Sequence, residues 1–219
     1  YEETLGLTAA VNPEQSTLEN LRSMRQHRPS GEKYEYVSAD TFVTGLVIES
    51  ITGQPLWLAL QELIWNQIGA EADALMMISP AGMPASHGGL SARLRDLARF
   101  GEVFTADDAL GVVSASHLAD LASGRGVAFD AAQIAQLARR FNQDVPKKAA
   151  WQWDMIWDDG AMFKGGYSGQ GIFVDPGRDV VAVWYGTSGT DGQSHQLLPL
   201  IRKLSKGYDI NRSGQQVAK

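Results

Sequence analysis

A lysine set directly before two glycines, Lys164-Gly165-Gly166, and a tyrosine two residues before a serine, Tyr36-Val37-Ser38, are the groups best placed to do chemistry. The lysine supplies a compact positive charge. The glycines leave the backbone after it bare, so that another backbone can approach closely. Each group also has a plainer reading: Lys164 as an exposed strand lysine, Tyr36 as a packed aromatic, Ser38 as a helix cap. A nucleophile is harder to find. Only Lys33 has a serine three positions before it, in Ser30-Gly31-Glu32-Lys33, and Pro29-Ser30-Gly31 reads as a turn, not a helix. His27, His87, His117 and His195 show no ligand spacing, so no metal site is expected; His87, beside Gly88-Gly89, could border a pocket. Asp107-Asp108 and Asp158-Asp159 are adjacent pairs in turns, and neighbouring side chains point apart, which makes them poor acid–base couples. Residues 165–171, GGYSGQG, match neither the dinucleotide nor the P-loop spacing, and no cofactor is expected.

These groups need elements to position them. A short helix is expected over 18–24. A longer one, capped by Ser38 or Asp40, carries Phe42, Val43, Leu46, Val47 and Ile51 and stops at Gly53 and Pro55. Residues 56–67 are apolar on most sides, which predicts a buried helix. After a loop over 79–90, Ser91 is placed to cap a helix with Leu94, Leu97, Gly101 and Phe104 on one face, and further helices are predicted over 115–122 and 131–141. The period then changes from helical to two. Trp151, Trp153, Met155 and Trp157 fall on one face, read as a buried sheet face, with Gln152, Asp154 and Ile156 on the other. Asp159-Gly160 signals a hairpin turn, and 171–174 and 180–186 flank a second turn, so the three strands run antiparallel. A final helix over 193–206 carries Leu197, Leu200, Ile201 and Leu204 and accommodates Pro199 only in its first turn. Helices, then a strand meander, then a helix make an α+β protein. The expected segments are 1–33 (loop and short helix), 34–148 (mostly helical), 149–207 (strands and terminal helix) and 208–219 (mobile tail).

Three stretches, in order, carry a resemblance: YEYVSADTFVTGLVIESITGQPL (34–56), GGLSARLRDLARFGEVF (88–104) and FKGGYSGQGIFVDPGRDVVAVWYG (163–186). Together the sequence resembles the serine β-lactamase and penicillin-recognising family, in its class C-like branch of esterases and small-amide hydrolases. The resemblance implies a β-lactamase-like fold, here incomplete, without the N-terminal part that bears Ser-x-x-Lys and the opening strands. It implies acyl transfer through an acyl-enzyme on a serine. It makes Tyr36 the base, Ser38 its helper and Lys164 the cation beside the phenol, because a free phenol titrates near pH 10 and works as a base near neutrality only beside positive charge. Gly165 and Gly166 line the substrate edge, and Tyr167 gives one backbone oxyanion donor. The reading requires the phenol of Tyr36 and the ammonium of Lys164 to meet across one cleft. Ser38 stands where asparagine is usual, and Gly165 where enzymes acting on β-lactams have threonine; the second change removes a donor to the antibiotic's carboxylate and points to an ester or small amide.

The totals set the outer bounds. With 219 residues, 44% apolar, the chain can bury a core. Its longest apolar run, 180–185, is a strand's length, and no membrane partner is expected. A net charge of −6 without a basic cluster gives no support for nucleic acid. No cysteine means no disulfide scaffold and no cysteine nucleophile. The expected partners are a small ester or amide and a second copy or a complementing N-terminal segment. The alternative function is a truncated, non-catalytic relative that binds or self-associates.

Overall fold

The computed structural model describes residues 17–79, 82–105, 111–122, 125–187, 196–210 and 216–218. The chain divides into two units, one of Tyr1–Ser30 with Glu35–Arg93, the other of Gly31–Tyr34 with Leu94–Lys219.

The first unit holds α1 (Thr17–Ser23), α2 (Ser38–Thr52), α3 (Leu56–Leu60, running on as a π-helical turn over Gln61–Trp65) and a two-residue antiparallel pair, β1 (Leu75–Met76) with β2 (Leu90–Ser91). The backbone of α2 starts after an extended Val37 whose side chain caps nothing. Ser38 is therefore the first helical residue and not the cap, and Asp40 lies within the first turn, where a carboxylate favours the helix dipole. The helix ends as expected: Gly53 is left-handed (φ 67°), and its N–H donates to the Glu49 carbonyl at 2.9 Å. The Glu49 carboxylate then accepts from the Leu56 N–H at 2.8 Å, tying α2 to α3.

The apolar pattern of this unit is only half used. Phe42 and Gly45 are buried, and a Cβ on Gly45 would lie 2.5 Å from the Ser86 hydroxyl, so α2 sits tightly on the 82–89 loop. Val43, Val47 and Ile51 are exposed. The helix expected over 56–67 is not buried either. Only Ala59 is covered within α3, Trp57 and Leu63 are more than half exposed, and the π turn rotates its residues off a single stripe. Helices α2 and α3 meet at an 80° bend, and among the described residues no single helix is long and apolar enough to cross a membrane.

The second unit contains α4 (Leu94–Glu102), α5 (Ala115–Ala122), β3 (Val127–Ala128), α6 (Ala131–Phe141), β4 (Lys148–Ala150), β5 (Trp153–Ile156), β6 (Met162–Gly165), β7 (Gly171–Asp175), β8 (Val180–Trp184), α7 (Leu198–Gly207), β9 (Tyr208–Ile210) and β10 (Gln216–Ala218). Helices α5 and α6 have the expected bounds. α6 begins with a reciprocal cap in which the Asp130 carboxylate accepts from the Gln133 N–H at 2.8 Å while the Gln133 side chain accepts from the Asp130 N–H at 3.0 Å. Ser91 does not cap α4; it belongs to β2, and the helix starts three residues later. Pro199 falls in the first turn of α7. In the stretch expected to be mobile, β9 and β10 pair antiparallel.

Among the described residues the main sheet has six strands, β3 to β8 in chain order, each antiparallel to the next. That is three more than the sequence period reveals, and the architecture is α+β. Both faces are covered. On one, Phe163, Phe173 and Trp184 pack with Trp157, Phe141 and Leu198; on the other, Met162, Ile172, Val174, Ile156 and Trp153 pack with Leu121 and with Leu97, Phe100 and Phe104. The tryptophan stripe is accordingly split. Trp153 and Trp157 lie in different clusters, and Trp151 is half exposed. Ala150 pairs with Trp153, so Trp151 (φ 51°) and Gln152 (φ 68°) form a two-residue hairpin loop with both φ positive, which takes Trp151 off the strand.

Candidate active site

Lys164 sits on β6, one residue after buried Phe163, so strand alternation turns it to the opposite face. Its position follows from the hairpin before it. Trp157 N–H donates to the Ala161 carbonyl at 2.9 Å around left-handed Gly160 (φ 84°), and Met155 pairs with Phe163. This register brings Asp154 of β5 across from Lys164. The ammonium donates to both Asp154 oxygens, at 2.9 and 3.1 Å, and to the Gly165 carbonyl at 3.2 Å. The same carboxylate accepts from the Gly165 N–H at 2.8 Å. One aspartate thus holds both the lysine and the first glycine of the motif, with the pair about a quarter exposed (30% and 21%). Such a charge-assisted pair fixes a lysine that would otherwise sample many rotamers.

Asp154 is the residue that sequence reasoning missed. The alternation in 151–157 puts it on the face away from Met155, but a two-residue Asp159-Gly160 turn would set Met155 opposite Lys164; the observed loop has three residues, 158–160, and that one-residue shift brings Asp154 across.

Beyond Gly165 the backbone turns sharply. Gly166 N–H donates to the Gln170 carbonyl at 2.8 Å, closing a turn that contains Tyr167–Gly169. Ser168 (φ 60°) and Gly169 (φ 88°) are left-handed. A Cβ on Gly166 would meet Gln170 Cγ at 2.5 Å, and one on Gly171 would meet the Phe163 and Trp184 rings at 2.6 and 2.7 Å. At Gly171 the two rings leave room for glycine alone, at Gly166 a side chain would have to displace that of Gln170, and the chain beside Lys164 stays low. Tyr167 rides on top of the turn, 91% exposed.

Tyr36 and Ser38 belong to the first unit and Lys164 to the second. Tyr36 is half exposed in the extended segment before α2, and Ser38 is half-buried at the helix start. Ser30 lies in a turn followed by left-handed Gly31 (φ 82°), without the helix that a Ser-x-x-Lys pair requires, and Lys33 forms an ion pair with Asp130 at 2.9 Å. His27 lies 3.9 Å from Glu35, which also bonds Arg28; His87 is 6.3 Å from the Phe42 ring, and His117 packs edge-on against Trp151 at 4.9 Å. His195, Asp107 and Asp108 lie outside the described residues. Among the described residues no three His, Cys, Asp or Glu side chains are grouped to hold a metal ion.

Comparison with known proteins gives the fold a context. A model of the Beta-lactamase family matches residues 2–205. The 6-aminohexanoate-dimer hydrolase of Paenarthrobacter ureafaciens is 28% identical over 169 residues, 76% of this chain and 42% of that protein. A Bacillus anthracis structure provisionally described as a 6-aminohexanoate-dimer hydrolase superposes with a TM-score of 0.69 at 22% identity, over 94% of this chain and 54% of that one. A β-lactamase structure from Mycobacterium bovis superposes with a TM-score of 0.56 at 19% identity, over 81% of this chain and 65% of that one. The chain therefore spans about half the length, or less, of the 6-aminohexanoate-dimer hydrolases it matches.

Proposed function

The chain belongs to the β-lactamase family, and from that premise we propose that it carries the base and oxyanion-binding share of a serine hydrolase acting on a small ester or amide. The observation that carries the reading is the Lys164 ammonium, fixed by Asp154 beside the low Gly165-Gly166 edge. A scissile carbonyl laid along that edge would have its developing oxyanion met by the Tyr167 N–H, and the family pattern gives the phenol of Tyr36 the role of base. The phenolate takes the proton of an attacking serine and returns it to the leaving group, and water then releases the acyl group. Glycine at 165 offers no hydroxyl to a β-lactam carboxylate, which favours a linear substrate. The similarity to a 6-aminohexanoate-dimer hydrolase supports a small substrate other than a β-lactam.

These residues supply no nucleophile. The sole Ser-x-x-Lys, Ser30–Lys33, has turn geometry, and the chain by itself is proposed to turn over nothing. Labelling it with a fluorophosphonate should give no serine adduct. The same chain extended N-terminally by a Ser-x-x-Lys segment should hydrolyse p-nitrophenyl butyrate, and Tyr36→Phe should lower kcat/KM by about 10²-fold or more. A stable adduct on the unextended chain, or nitrocefin turnover faster than ester turnover by the extended one, would refute the reading.

A second reading, a non-catalytic self-associating relative, is favoured by the exposed Val43, Val47, Ile51, Trp57 and Leu63. It predicts a dimer in size exclusion and no hydrolysis by the extended chain.

A further inference from the structure

A lysine beside a bare strand edge is a ready anchor for a ligand carboxylate, but here its charge is already met. An ammonium has three N–H donors and no acceptor. That of Lys164 meets three acceptors: both Asp154 oxygens, at 2.9 and 3.1 Å, and the Gly165 carbonyl, at 3.2 Å. The pair is 30% and 21% exposed, so a molecule lying on the Gly165-Gly166 edge comes within reach of both charges. Fastening the strand does not by itself call for a carboxylate. The Gly165 N–H, 2.8 Å from Asp154, needs one acceptor, which an asparagine or a serine could also supply. What only an acidic side chain adds is the negative charge.

We propose that Asp154 is a specificity residue of this edge: it cancels the Lys164 charge and occupies its hydrogens, so that the edge accepts an uncharged acyl chain and turns away a ligand with a carboxylate at that point. An incoming carboxylate would have to displace Asp154 or lie beside it, like charge against like charge, which is discrimination by repulsion. Asp154→Asn keeps an oxygen for the Gly165 N–H and removes the repelling charge, which turns Lys164 into a carboxylate anchor. That the ligand on the edge is a substrate rests on the hydrolase reading; the charge balance does not.

Binding to the chain as it stands tests this without a nucleophile, so the outcome is separate from that of the hydrolysis experiments. The 15N-labelled parent and Asp154→Asn are titrated with sodium phenylacetate and with phenylacetamide, at ionic strength held constant with chloride, and the amide signals of residues 164–167 are followed. The variant should bind phenylacetate about tenfold or more tightly than the parent does, and more tightly than it binds phenylacetamide. Asp154→Ser also removes the charge and should gain likewise, so the result does not hang on the folding of one variant. Adding Lys164→Met to either should abolish the gain. Parent and both variants binding phenylacetate equally, an equal gain for phenylacetamide, or a gain that survives Lys164→Met would each overturn the proposal.

Discussion

At the scale of single residues, the second unit's part of the candidate site rests on Asp154. Its carboxylate meets the Lys164 ammonium and the Gly165 N–H together, so removing it takes the shared acceptor from both. Asp154→Ala should lower stability by about 1–3 kcal/mol, read as a lower urea midpoint. Asp154→Asn keeps an oxygen for the N–H and loses only the charge, so it should lose less. Equal midpoints for the parent and Asp154→Ala would mean that the clamp contributes nothing. Lys164 and its glycines are legible as a motif in the sequence; the aspartate ten residues earlier is legible only through strand register.

At the scale of elements, close packing decides what local propensity cannot. Gly101 lies in α4, where alanine is intrinsically better by about 1 kcal/mol. A Cβ there would stand 2.5 Å from Val181 Cγ1 and 3.2 Å from Ile172 Cδ1, because α4 rests on β7 and β8 at this point. Valine has little χ1 freedom with which to move aside. Gly101→Ala should therefore destabilise by about 1–3 kcal/mol, seen as a lower melting temperature, and a rise instead would show that the helix shifts away without cost. The start of α6 gives a contrasting case. Asp130→Ala removes the side-chain acceptor of the capping box and should lower the melting temperature, whereas Asp130→Asn retains an oxygen at the cap and should lower it less.

At the largest scale, Arg202 joins distant parts of the second unit. It is 3% exposed, donates to Asp144 before β4 and to Asp159 in the β5–β6 turn, and lies over the Trp157 ring at 5.0 Å. Asp175, fully buried on β7, is 3.7 Å away and accepts from Arg178 and Ser205. Burial pushes the Asp144 and Asp159 carboxyls up. The hydrogen bonds and charge of Arg202, with Lys206 at Asp144 and Arg178 at Asp159, outweigh it and hold both below the ordinary value. A carboxyl depressed in the folded state stabilises the fold above its unfolded pKa of about 3.9, and that contribution fades as pH falls through the lower folded value. Urea unfolding between pH 7 and pH 2 should accordingly show stability falling mainly below about pH 4. Arg202→Leu should cost about 3–5 kcal/mol at pH 7 and flatten the acid limb. An unchanged acid limb would mean that the network does not govern acid unfolding.

The sequence by itself determined the features written in neighbouring residues: α5 and α6 with their bounds, the stop of α2 at Gly53, the Asp159-Gly160 hairpin, the Lys164-Gly165-Gly166 motif and the family. These depend on local hydrogen bonding and left-handed turn positions, which a few residues specify. Strands β3 and β4 are two and three residues long, too short to show a period, and stayed hidden. Tertiary structure alone decided that both faces of the sheet are covered, that Trp153 and Trp157 fall in different clusters, and that Val43, Val47, Ile51 and Trp57 are exposed on apolar helices. The pairing of Arg202 with carboxylates 58 and 43 residues away was likewise settled only by the fold. Burial and pairing depend on which remote segment arrives opposite a residue, and no local pattern encodes that arrival.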